Sequence, residues 1–165
     1  MPPQMMARAA QNPATVRMFT QRFSATRLGA RLARHLAAHR IDVWGFPYGS
    51  RLSNAASAIV AELTANAVLH GHVAGRDFEL SLATVCYADT DAGTAAARLG
   101  ALRIDVADTR AERRPPQPGR LAVPAHDAEA GRGLLVVSAL ASRWAVLDRR
   151  PIGKIVRAEL DIWAV

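Results

Sequence analysis

Glu62, Asn66 and His70 recur at four-residue intervals in a segment that otherwise reads apolar. In a helix each four-residue step turns about 400° and rises about 6 Å, so acid, amide and imidazole form one slowly drifting row. Such a row beside a core face is unusual unless something polar lies against it; a helix edge open to solvent gives the same spacing. Asp108 follows Leu102, Ile104 and Val106 at two-residue intervals. That is the period of one strand face, so its carboxylate turns toward the core side at the strand's end. An unpaired buried carboxylate is costly and needs a donor. The exocyclic amine of a ligand such as adenine would serve, and a turn or cap aspartate is the plainer reading. Gly131-Arg132-Gly133-Leu134 stands just before an apolar helical stretch. Glycines there let the backbone approach a phosphate, and a helix start favours negative charge.

These groups need elements to hold them. Residues 1–13 read as a flexible tail, and 14–165 as a single domain. Thr15 to Phe23 has strand character. Ser24 is a candidate N-cap for a helix to about His39, in which Leu28, Leu32 and Leu36 repeat every four residues. Asp42 to Ser50, with Gly45, Pro47 and Gly49, reads as a loop. A second helix is expected from Arg51 to Leu69, with Leu52, Ala55, Ile59, Leu63 and Ala67 as its apolar side and Gly71 as its stop. Strands follow at Phe78 to Tyr87 and Leu99 to Asp108. Thr109 to Ala130 carries four prolines and no period, and a loop of that length in a compact domain is functional or disordered. A third helix, Leu134 to Ser142, leads to strands Trp144 to Leu147 and Lys154 to Trp163. In the last, Val156, Ala158, Leu160 and Ile162 alternate with Arg157, Glu159 and Asp161. Runs of adjacent strands predict an α+β, two-layer sandwich: a mostly antiparallel, mixed sheet with helices on one face.

Composition removes several classes. A chain of 165 residues buries roughly 70% of its extended surface and needs no staples. The net charge is +7, but the arginines are scattered and Lys154 is the only lysine, so a nucleic-acid partner is disfavoured. Arg27, Arg31 and Arg34 share a face that reads as solvated. Cys86 is the single cysteine, which fits a reducing compartment, and in its apolar stretch it reads as core. The amino-terminal stretch has no apolar signal region, and no apolar run is long enough to cross a bilayer. A cytoplasmic protein without a membrane partner is the expectation. His35 and His39, or His70 and His72 with Cys86, lack the ligand set of a zinc site. No G-x-x-x-x-G-K or G-x-S-x-G motif occurs.

The ordered set Glu62-Leu-Thr-Ala-Asn66-Ala-Val-Leu-His70, then Asp108, then Gly131-Arg132-Gly133-Leu134, resembles the GHKL ATPase superfamily. Within it the chain is similar to the anti-sigma regulatory factors, serine/threonine kinases that control sigma factors, over about Thr15 to Ile162. The resemblance implies the Bergerat-type fold and the cofactors ATP and Mg. It implies Glu62 as general base, Asn66 as the magnesium ligand, and His70 near the phosphate end. Asp108 matches the reader of the adenine amine, while Gly131, Arg132, Gly133 and Leu134 close a lid, residues 109–132, onto the phosphates. It further implies a sigma factor and a small antagonist protein as partners, and a homodimer.

Two boxes depart from the pattern. Asp108-Thr-Arg-Ala-Glu stands where the superfamily has D-x-G-x-G, and Gly153-Lys154-Ile155 where a glycine followed by threonines is typical. A catalytically silent regulator of the same fold, acting by protein sequestration, is therefore the alternative to a kinase. A basic nucleic-acid-binding protein is the third reading.

Overall fold

The computed structural model describes residues 14–70, 75–86, 98–110, 114–121 and 132–163. The expected tail, the Gly71 stop, Gly131, His72 and most of the expected lid lie outside them. The elements run β1 (Ala14–Phe23), α1 (Arg27–Val43), α2 (Arg51–Leu69), β2 (Phe78–Cys86), β3 (Arg98–Asp108), α3 (Gly133–Leu140), β4 (Arg143–Asp148) and β5 (Lys154–Trp163). The strands form one sheet in the order β1-β2-β3-β5-β4. Every neighbouring pair is antiparallel, so the sheet has no parallel part.

The helices occupy one face of this sheet, giving the expected two-layer α+β sandwich. The inner face presents Leu80 and Leu82 from β2, Leu102, Ile104 and Val106 from β3, and Val156, Ala158 and Leu160 from β5, all buried. Leu63, Ile59 and Val60 of α2 close the core above them. Ser50 caps α2, its hydroxyl accepting from the Ser53 N–H at 3.3 Å. By length and apolarity α2 matches a membrane span, but its buried side is part of this core.

The first helix differs from expectation in start, end and buried side. Thr26, not Ser24, is the N-cap: its backbone is extended and its hydroxyl accepts from the Gly29 N–H at 3.0 Å. The helix continues past His39 to Val43. Leu28 and Leu32 are 64% and 52% exposed, while Gly29, Ala33, Ala37 and Ile41 are the buried stripe. Small residues win there because they let α1 come close to its neighbours, which leucines would hold off.

At its carboxyl end α3 stops at Leu140 rather than Ser142. Ser142 instead bonds to β5, its N–H to the Glu159 carbonyl at 2.8 Å and its hydroxyl accepting from the Asp161 N–H at 2.9 Å. Cys86, expected in the core, is exposed at the end of β2. Trp144 is buried in the core, whereas Trp163 is half exposed at the end of β5.

Candidate functional site

A cavity of about 380 Å3 opens between α2, the ends of β3 and β5, and the start of α3. That lies in the range of roughly 300–1,000 Å3 usual for small-molecule sites. Its apolar walls include Leu63, Val106 and Val156, spaced by the same periods that build the core. Asn66 and His70, one helical turn apart on α2, line one side, and Asp108 lines another. Gly133 and Leu134 line it from α3, and Arg114, Pro115 and Pro116 from the segment after β3. Arg114 also pairs with Asp148.

Glu62 lies one turn before Asn66, is half buried, and is not a wall of the cavity. Its carboxylate reaches toward the start of α3: a Cβ built on Gly133 would stand 2.5 Å from Glu62 Oε2. Position 133 has no side chain to crowd that carboxylate. Arg132 is the cap residue of α3, with its side chain exposed and no side-chain cap bond. His70 is the C-cap of α2, its N–H bonded to the Asn66 carbonyl at 2.8 Å. Of the expected set, the structure thus gathers Asn66, His70, Asp108, Gly133 and Leu134 around one space, sets Glu62 beside it, and leaves Gly131 outside the described residues.

The floor of the cavity differs from the expectation that Asp108 waits for a ligand's donor. Asp108 is 5% exposed and Lys154 is 4% exposed. The lysine Nζ sits 3.0 Å from Asp108 Oδ1 and 2.9 Å from Oδ2. The Arg110 N–H donates to Oδ1 at 2.9 Å, and the Arg110 carbonyl accepts from Nζ at 3.0 Å. The cause is register: Asp108 and Lys154 are cross-strand partners of β3 and β5. Gly153 makes the approach feasible, since its φ of +116° suits glycine and any Cβ there would clash with the Asp108 carbonyl. Asp108 and Lys154 both line the cavity.

The sequence marked position 154 as the only lysine, the start of a strand and a missing threonine, and not as a partner for Asp108. The inward alternation Val156, Ala158, Leu160 extends back to Lys154, and that parity was the signal for a buried ammonium. The His35–His39 pair sits on exposed α1, with His39 Nδ1 and the Tyr48 hydroxyl 3.4 Å apart. Among the described residues no group of three His, Cys, Asp or Glu side chains is placed to hold a metal ion.

An antiparallel sheet covered on one face by helices, with a cavity between the second helix and the sheet's strand ends, defines an α+β domain of the GHKL ATPase type. The chain belongs to the histidine kinase-like ATPase domain family, whose model matches residues 7–160. The fold is also similar to the crystal structure of the RsbU and RsbW domains of Rv1364c from Mycobacterium tuberculosis. That likeness has a TM-score of 0.56 and 16% identity over 91% of this chain. The present chain corresponds to 34% of the length of that structure's chain. No curated protein matches the chain.

Proposed function

We propose that the chain is a cytoplasmic, GHKL-type regulator that binds Mg-ATP in this cavity and phosphorylates a serine or threonine of a small antagonist protein. It binds a sigma factor in alternation with that antagonist. The observation that carries the reading is the convergence of Asn66, Asp108 and Gly133 on one cavity in a chain of the ATPase family. The residues fit a nucleotide unevenly. Apolar walls suit a planar base, and Asn66, which lines the cavity, would offer its amide oxygen to magnesium. The base-reading carboxylate, however, already carries donors.

In this reading magnesium neutralises charge on the phosphates when bound, and the chain's residues position and exclude water. Glu62 takes the proton of the acceptor hydroxyl. His70 lies at the phosphate end, and Gly131, Arg132, Gly133 and Leu134 close over it. The test is label transfer from Mg-ATP to candidate antagonists by the wild-type protein and by Glu62→Gln. Transfer lost in the variant supports the kinase; no transfer by the wild type to any antagonist removes it.

The sequestration reading is favoured by one observation, the occupied Asp108 carboxylate. It expects partner binding to survive Glu62→Gln and Asn66→Ala unchanged. On the open sheet face Arg103 and Arg143 engage Glu159 and Arg157 engages Asp105, so that face is a poor candidate for the nucleic-acid reading.

A further inference from the structure

The Asp108–Lys154 pair changes what the floor of the cavity can read. A pocket selects a base through the penalty for leaving its own buried polar groups unpaired when a ligand lacks the matching group. Here that penalty is removed in advance. The carboxylate accepts from Lys154 on both oxygens and from the Arg110 N–H, and the ammonium also donates to the Arg110 carbonyl. A purine carrying a 6-amino group finds at most the second lone pair of Oδ2 open, beside an ammonium whose charge-assisted bonds are roughly twice as strong as neutral ones. A purine carrying a 6-oxo group meets the same paired surface and must compete with the carboxylate and the Arg110 carbonyl for the ammonium's three protons. The apolar walls Leu63, Val106 and Val156 serve every base alike, because they bury a ring without reading its edge.

We infer that Lys154 makes this a base-tolerant site, one that takes purine nucleoside triphosphates whether C6 carries an amine or an oxygen. The inference rests on the reading of the cavity as a nucleotide site. Affinity then comes from the ring's burial and from the phosphate end, and Lys154 is the residue that sets selectivity.

The experiment is equilibrium titration of the full chain with Mg-ATP and Mg-ITP, which differ at the C6 substituent and the neighbouring ring nitrogen. Wild type and Lys154→Thr are compared, with circular dichroism confirming that both are folded. The expected result is wild-type affinities within about threefold of each other, and a preference of about tenfold or more for ATP once Lys154 is replaced, as a site with an unpaired polar group demands. A wild-type preference of about tenfold for ATP overturns the inference while leaving the nucleotide site standing. Equal affinities in a folded Lys154→Thr protein also overturn it. If that variant does not fold, the wild-type ratio alone decides. Binding of neither nucleotide overturns both this inference and the function it rests on.

Discussion

Asn66 and the Asp108–Lys154 pair carry different burdens, and mutation separates them. Asn66 is half buried on α2 and is a cavity wall rather than a core residue. Replacing it with alanine is expected to leave the thermal midpoint nearly unchanged and to weaken Mg-nucleotide binding about tenfold or more, the scale of one lost ligand contact. Calorimetric titration with and without magnesium checks this, and the metal dependence should vanish in the variant. The buried pair behaves in the opposite way. Asp108→Ala strands a buried ammonium, and breaking such a pair costs about 3–5 kcal/mol. Asp108→Asn with Lys154→Met removes both charges and should recover much of that loss in urea unfolding; a double variant as unstable as the single one would contradict it. Asn66 was legible in the sequence because its spacing from Glu62 and His70 follows the helical repeat. Lys154 was overlooked although its parity with Val156, Ala158 and Leu160 marks it as inward, because a lone lysine after a glycine reads as surface; only the register names Asp108 as its partner.

At the scale of elements, periodicity found the strands and helices, and its failure on the buried side of α1 traces to competition between neighbouring stripes. On α1 the leucines at 28 and 32 and the small residues at 29, 33 and 37 repeat with the same spacing, one residue out of phase. Hydrophobicity favours the first set, close packing the second, and packing decides. Gly29 shows how tight that contact is: a Cβ there would clash with the Ser24 carbonyl, a backbone atom that cannot step aside. Gly29→Ala is therefore expected to destabilise the protein by about 1–3 kcal/mol despite alanine's better helix propensity. Leu28→Ala, on the exposed face, should change stability by no more than about 0.5 kcal/mol. Thermal unfolding of the two variants side by side distinguishes which stripe is structural. The site inherits this dependence, since α1 packs on α2 and α2 presents Asn66 and His70.

Over the whole molecule the sheet separates two kinds of order, an apolar face under the helices and an open face held by paired charges. Directly cross-strand, Arg103 Nε lies 2.8 Å from Glu159 Oε1, and Arg157 holds both oxygens of Asp105 at 2.8 Å. Arg143 engages Glu159 from β4 and reaches Asp161 at 2.9 Å. Burial by itself raises the Glu159 carboxyl's pKa, but the hydrogen bond from Arg103 and the charges of Arg143 and Arg103 together outweigh it. The net position is below the ordinary value of 4.5. Because the folded state binds this proton less readily than the unfolded chain, the contribution is fully present above about pH 4.5. It is lost as the pH falls through the lower folded value. Glu159→Gln should accordingly lower the thermal midpoint at pH 7, where the carboxylate ties β3, β4 and β5 together. It should also flatten the fall in stability between about pH 5 and pH 3 relative to wild type. Melting curves across that range check both halves. Parallel curves for the two proteins would mean that other carboxylates govern the acid limb, and that this network orders the open face without setting its pH dependence.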